Sequence, residues 1–298
     1  MHDVPEITYV NRETSKLEVE KVYGESELMF LYNSSLGVML RKTLVRKPVF
    51  SHIYGIPKHS WFSKKQIEPF IEMYEVDSDE AEKPTDSYRS LDAFFSRKLR
   101  ADARPINQNT CSLVSPADGR LLAYDLNDDT SFFIKGHEVK LDQLIGASQI
   151  TADLKGGKAL VIRLAPKDYH RFHFPCGGRV ISSYKIPGLL ESVHPIALSA
   201  GAKSFANKRQ VTLIRSDSFG EIYMVEIGAL TIGTIVQNDV SDNVRKAQEK
   251  GYFRFGGSTV ALFWGKEGPA IDVDLIENSK NGIETLVRMG SQVASLDA

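Results

Sequence analysis

From about residue 106 onward the chain alternates short apolar runs with Gly, Asp and Asn. The runs are RLLAYDL, SFFIKG, ALVIRLA, RVISSYKI, QVTLIRS, EIYMVEIGALTIGTIV, STVALFW and AIDVDLI. Runs this short and frequent, rich in β-branched residues and bounded by turn formers, predict strands of a mainly antiparallel sandwich or barrel. No strand–helix alternation is visible, which argues against a doubly wound parallel sheet. The first hundred or so residues have a different texture. Leu28, Leu31, Tyr32, Leu36, Met39, Leu40 and Leu44 recur at three- and four-residue spacing in LMFLYNSSLGVMLRKTLV, which predicts one apolar face of a helix. Arg41, Lys42, Arg46 and Lys47 flank that face, and Pro48 ends it. Residues 72–86 are acidic and polar and read as a loop or helix end. Ser90 then suits the N-cap of a helix with Leu91, Phe94, Phe95 and Leu99 on one side. The predicted class is α+β, mainly β: a helical segment over residues 1–105 and a β-rich domain over residues 106–298.

Composition adds exclusions more than assignments. A chain of 298 residues, 42% hydrophobic and 25% charged, can bury a substantial core. Its formal net charge of -1 supplies no global field for nucleic acid. Cys111 and Cys176 form no CxxC pair, and reduced thiols are expected. The opening MHDVPEITYVNRE has neither the cationic start nor the apolar core of a secretory signal. No apolar run approaches the roughly 20 residues that span a bilayer. The protein is therefore expected not to cross a membrane, though it could lie on one. The 28–45 face, its basic neighbours and the mixture of Lys58, Trp61, Phe62, Lys64 and Lys65 fit an interfacial helix on anionic lipid. A helix packed on its own domain with a solvated basic edge explains the same pattern.

Three stretches carry reactive side chains. SPADGR, residues 115–120, is a turn by composition, and Asp118 can be structural or can orient a base. LAPKDYHRFHFP, residues 164–175, sets His170 and His173 in one short loop. With Cys176 they share a spacing open to metal binding, but tetrahedral zinc needs further ligands and no partner cluster supplies them. Acid–base work by a neutral histidine is the stronger reading, with Asp118 as candidate orienter. The third stretch is FGGSTVALFWG. A nucleophile elbow would need a second glycine after the serine and a helix to follow, and neither is present. What remains is Ser258 directly after Gly257, whose carbonyl no side chain shields. A serine oxygen can reach the preceding carbonyl through a five-membered ring, given an oxyanion donor and a base.

SPADGR, APKDYHRFHFP and FGGST in this order resemble the phosphatidylserine decarboxylases. FFSRKLRADARPI, IKGHEVKLDQLIG, PGLLESVHP and VEIGALTIGTI are similar to family segments, so that the resemblance runs from about residue 85 to residue 290. His194, in SVHP, stands where the family pattern leads one to expect asparagine. The resemblance implies a proenzyme that cuts itself between Gly257 and Ser258. It implies a processing triad of Asp118, His173 and Ser258, with His173 as base, and His170 in decarboxylation or proton return. It further implies that Ser258 becomes a covalent pyruvoyl group, with no external cofactor or metal. That group would form a Schiff base with phosphatidylserine, release carbon dioxide and give phosphatidylethanolamine. The expected partners are lipid in an anionic membrane and the two fragments of the chain itself, 1–257 and 258–298, in a heterodimer open to further self-association. The expected location is the cytoplasmic side of the cell membrane, attached peripherally. An ether-lipid decarboxylase, a Ser-His-Asp hydrolase with a reusable serine, and a β-rich membrane scaffold are the rival readings.

Overall fold

The structure, a computed structural model, describes residues 7–20, 30–32, 34–45, 60–134, 137–146, 153–192, 194, 197, 202–229, 234–256 and 258–296. Gly257 and Leu28 of the sequence expectations lie outside these residues, as do Arg46, Lys47, Pro48 and Lys58. Among the described residues the strands are β1 (Thr8–Asn11), β2 (Lys16–Val19), β3 (Ser112–Val114), β4 (Gly119–Asp125), β5 (Ser131–Ile134), β6 (His137–Lys140), β7 (Lys158–Leu164), β8 (Arg171–His173) and β9 (Gly178–Ile186). They continue with β10 (Arg209–Ser216), β11 (Gly220–Gly228), β12 (Ile235–Gln237), β13 (Asn243–Val244), β14 (Glu249–Phe253), β15 (Ser258–Trp264), β16 (Ala270–Ile271), β17 (Glu284–Val287) and β18 (Gln292–Ser295).

Ten strands form one sheet in the order β13-β9-β10-β11-β15-β7-β4-β17-β1-β2. Its neighbours run antiparallel except β1 and β17, which run parallel. The protein is thus mainly β, built on a large mixed sheet. β15 lies near the centre and is buried at every position, because both sheet faces are covered. That is why STVALFW reads as a continuous apolar run and not as an alternation. On one face Leu160, Ile162, Leu164, Val260, Leu262 and Trp264 pack against Phe172, Phe174 and Phe253, from or beside the small sheet β12-β14-β8. On the other, Val161, Val211, Val225, Ala261 and Phe263 pack against Phe132 and Val139 of the β5–β6 hairpin and the helix Leu141–Ile145. Burial of that much apolar surface supplies the main driving force for the layers.

The structure differs from the sequence expectation in three places. Within residues 1–105, expected to be helical, β1 and β2 join the end of the large sheet. TYVN and KLEV are too short to register a period. Their placement comes from Tyr9, which is buried beneath the Arg120 guanidinium with its ring centroid 4.8 Å away. Within 28–45, the helix covers Ser35–Leu40, capped by Ser34 Oγ, and widens into a π-helical turn over Arg41–Val45. Its apolar residues do not share one buried face: Tyr32 is buried while Leu36 and Met39 are exposed. Finally, AIDVDLI is a strand only over Ala270–Ile271, and the helix Val273–Lys280 follows. Leu275 buries toward the core while Val273 stays exposed, a helical spacing that the short alternation hid.

The helices Ile67–Tyr74 and Leu91–Phe95 form a separate aromatic cluster through Phe70, Phe94 and Phe95. As expected, Ser90 caps the second helix, its Oγ accepting the Ala93 N–H at 3.2 Å. Phe255 packs on this cluster, its ring 4.9 Å from Phe95. Phe255, three positions before Ser258, is therefore held by the N-terminal third of the chain.

Candidate active site

Ser258 opens β15 and is fully buried, paired with Gly228 on one side and Leu164 on the other. Ahead of it, Gly256 has φ 141°, a backbone region that side chains resist. The chain thus enters β15 through a bend that glycine permits. The Phe255 N–H is fixed by Asp92 Oδ1 at 3.1 Å.

His170 lies against the serine. Its Nδ1 is 3.3 Å from Ser258 Oγ, and its Nε2 is 3.0 Å from the Ala165 carbonyl. A carbonyl only accepts, so Nε2 carries the proton and Nδ1 is left with a lone pair toward the serine. The imidazole stacks on Phe95 at 3.9 Å between centroids and has no solvent exposure. Burial holds its pKa down to about 4, so the ring is neutral at ordinary pH. Asp168 braces the same loop: its Oδ2 accepts the Ala165 N–H at 2.6 Å and also binds Arg120.

His173 sits in β8, its N–H donating to the Pro116 carbonyl at 2.8 Å. Burial likewise depresses its pKa to about 4, and its Nδ1 is buried without a hydrogen-bond partner. Asp118 is bound elsewhere than the sequence suggested. Both of its oxygens lie on Arg104, at 3.0 and 2.6 Å, and Oδ1 also accepts the Met289 N–H at 2.8 Å. Arg104 in turn forks onto Glu80 at 2.8 Å. Among the described residues no hydrogen bond joins His173 to Asp118 or to Ser258. Gly119, next to Asp118, is required by close approach: a Cβ there would lie 2.6 Å from the Arg163 carbonyl oxygen.

The structure thus brings His170 and Ser258 together, while Asp118 lies in the turn whose Pro116 carbonyl accepts the His173 N–H from β8. Sequence reasoning assigned no role to Arg104 or Phe95. Helical spacing after Ser90 marks Phe95 only as part of an apolar face, no spacing marks Arg104, and only the quoted segment FFSRKLRADARPI contained both. Cys176 is buried in the core cluster beside Phe174, where burial raises its thiol pKa to about 12. It packs as a hydrophobe there.

This chemistry has close counterparts. A sequence model of phosphatidylserine decarboxylase matches residues 91–295. A phosphatidylserine decarboxylase proenzyme of Fusobacterium nucleatum is 39% identical over 289 residues, covering 96% of each chain. One from Clostridium perfringens strain SM101 is 41% identical over 290 residues, covering 96% of this chain and 99% of the relative. One from Clostridium botulinum strain Langeland is 39% identical over 292 residues, covering 97% and 99%. The family model spans most of the chain and the relatives match it over nearly their full length, so the chain belongs to the phosphatidylserine decarboxylase family.

Proposed function

We propose that the chain is a phosphatidylserine decarboxylase, made as a proenzyme that cuts itself between Gly257 and Ser258. The observation that carries this reading is the contact of Ser258 Oγ with neutral His170 at the head of a buried strand. In the cut, Ser258 Oγ attacks the Gly257 carbonyl and the peptide bond becomes an ester. Elimination then releases residues 1–257 as a carboxylate. The dehydroalanine left at residue 258 takes up water, loses ammonia and becomes a pyruvoyl group. In the first assignment His173 is the base and Asp118 stabilises its charged form, as the family pattern suggests. The unpartnered His173 Nδ1 is free to accept a proton. A second assignment gives that proton to His170, which the 3.3 Å contact favours.

The surroundings of Ser258 fit a pyruvoyl group. The position is dry, its strand is held on both sides, and the opposing Gly228 adds no side chain. Such a group supplies an electron sink for loss of carbon dioxide from an amine-bearing headgroup. His170 is the residue placed to hold or return a proton at position 258. The Ala165 carbonyl fixes the tautomer that makes this possible.

Residues 1–105 are assigned the membrane-facing role and residues 106–298 the catalytic one. Leu36, Met39, Trp61 and Phe62 are exposed, and the last two rings touch at 4.3 Å between centroids. Exposed large apolar groups beside Lys42, Lys64 and Lys65 suit peripheral attachment to an anionic surface on the cytoplasmic side. No helix among the described residues is long and apolar enough to cross a membrane. After the cut, β15 keeps its ladders to β11 and β7, which joins the two fragments without a covalent link.

Intact mass of freshly purified wild type and Ser258→Ala, beside carbon dioxide release from phosphatidylserine vesicles, tests the reading. Two fragments with a modified residue 258 in the wild type alone, and activity only there, are expected. An uncut wild-type chain with unmodified serine would overturn it. The assignments separate by variant. The first predicts that His173→Ala stays uncut, while His170→Ala is cut but inactive. The second predicts that His170→Ala stays uncut.

A further inference from the structure

Asn207 is buried between the loop 187–192 and the end of β11. Its Nδ2 donates to the Gly228 carbonyl at 2.7 Å and to the Glu191 carbonyl at 2.8 Å, and its Oδ1 accepts the Glu191 N–H at 2.8 Å. The Gly228 N–H goes to the Lys208 carbonyl at 3.0 Å. Both backbone groups of Gly228 are therefore committed to residues 207 and 208. The Asn207 amide extends the ladder one step beyond the start of β10. Gly228 is the residue paired with Ser258. Opposed residues of an antiparallel pair project to the same face with Cβ atoms about 4.5–5.5 Å apart. A glycine here leaves the space across from Ser258 Oγ clear, and Asn207 fixes where that glycine stands.

The network continues away from the reaction centre. Glu191 Oε2 accepts from Arg41 Nη1 at 2.5 Å and from the Tyr32 hydroxyl at 3.0 Å. The same hydroxyl accepts the Ser192 N–H at 2.8 Å. The Arg41 guanidinium lies over the Tyr32 ring at 4.3 Å, and Tyr32, Arg41, Glu191 and Ser192 are all buried. Arg41 directly follows the helix Ser35–Leu40, whose Leu36 and Met39 are exposed.

We propose that Glu191 and Asn207 are positioning residues that hold Gly228 opposite Ser258 and tie that geometry to the seating of Tyr32 and Arg41. The proposal rests on the reading of Ser258 as the reaction centre. A buried charge left without its partner is costly. The helix therefore cannot shift without Glu191 following, and two hydrogen bonds carry Glu191 to Asn207. Seating of the lipid-facing helix is in this way felt at residue 258.

The test uses the full chain and a short-chain phosphatidylserine kept below its micelle concentration, so that turnover needs no membrane. Arg41→Met, Asn207→Ala, their double variant, Glu191→Ala and Glu191→Gln are compared for cutting, kcat, KM and thermal midpoint. Each of Arg41→Met and Asn207→Ala is expected to lose about tenfold in kcat with little change in KM. The double variant should lose no more than the worse single one, since both break one unit. Glu191→Gln, whose amide oxygen still accepts from Arg41 and Tyr32, should restore most of what Glu191→Ala loses. If Asn207→Ala does not fold, Asn207→Asp keeps the shape without the donor to Gly228 and takes its place. A variant with a normal thermal midpoint that stays uncut also supports the proposal, because the cut itself needs that geometry. Losses that multiply in the double variant, or a lowered thermal midpoint with unchanged kcat, overturn it. An uncut wild type overturns the underlying reading and this proposal together; a cut wild type with multiplying losses overturns this proposal alone.

Discussion

Arg163 on β7 and Glu284 on β17 form a two-pronged ion pair, Nη2 to Oε2 at 2.5 Å and Nε to Oε1 at 3.1 Å, with both side chains buried. Glu20 takes the remaining edge of the same guanidinium at 2.9 and 2.6 Å. Arg163 lies upstream of Ser258 and Glu284 downstream, so one buried cation joins the two proposed fragments as well as the end of the N-terminal hairpin. The contact keeps Arg163 charged and holds the Glu20 pKa down to about 2. Glu284→Ala is expected to cost roughly 3–5 kcal/mol, because breaking one side of a buried pair strands the other. Urea unfolding of that variant in a Ser258→Ala chain measures the loss without fragment dissociation. A cost under about 1 kcal/mol would mean that Glu20 alone satisfies the arginine.

Asp118 and Arg104 define a second expectation. If the Asp118 carboxylate must be held in place for the cut, Arg104 is as important as the aspartate, since it supplies most of that carboxylate's hydrogen bonds. Arg104→Met and Asp118→Asn should each slow self-cleavage at least about tenfold in cell-free synthesis, read as the ratio of cut to uncut chain over time. Normal cutting by Arg104→Met would confine Asp118 to the turn that its composition already explained.

The strands were legible where burial is two-sided. β7, β11 and β15 read as apolar runs because all of their positions are buried except at the outer ends of β7 and β11. β1 was not legible, because its parallel ladder to β17 joins residues more than 270 positions apart through four-residue pieces. The helix after Asp272 was hidden for another reason. Asp272 is at the N-cap, but its oxygens serve Arg12 and Gln292, partners that lie far along the chain. Within the site, the residue types of Asp118, His170, His173 and Ser258 were visible as motifs. Their partnerships were not: no period links His170 to a serine 88 positions away, or selects Arg104 for Asp118.

Membrane attachment gives a third expectation. Leu36 and Met39 are 56% and 54% exposed, and Trp61 and Phe62 are 69% and 70% exposed, so each can enter lipid without disturbing the core. Transfer of such side chains is worth about 1.5–3 kcal/mol each at full burial. Leu36→Glu with Met39→Glu should therefore move most of the protein from anionic liposomes into the supernatant on sedimentation, with its thermal midpoint unchanged. Replacing the partly buried Leu40 by Glu as well should complete the release. Undiminished sedimentation would reject this face as the docking surface.

The two buried histidines make stability depend on pH in a defined window. Both imidazoles have pKa values near 4 in the folded protein, against about 6.5 when solvated. Between these values the unfolded chain binds more protons than the folded one. Stability therefore falls as pH drops from about 6.5 toward 4, by up to about 1.4 kcal/mol per pH unit for each histidine. Glu20 does not act in this range: its pKa is depressed to about 2, so its contribution is lost only below the ordinary carboxylate range. Buried Glu226 works in the opposite sense, its pKa being raised, and blunts the fall at the acid end. In a Ser258→Ala chain, the unfolding free energy should thus drop by roughly 1.5 kcal/mol per histidine between about pH 6.5 and pH 5. His170→Ala should remove about half of that slope, and His170→Ala with His173→Ala nearly all of it. A slope unchanged by both substitutions would mean that neither ring is held neutral by burial. The lone pair that His170 turns toward Ser258 Oγ would then be protonated over the acid range, and the ring could not act there as a proton acceptor.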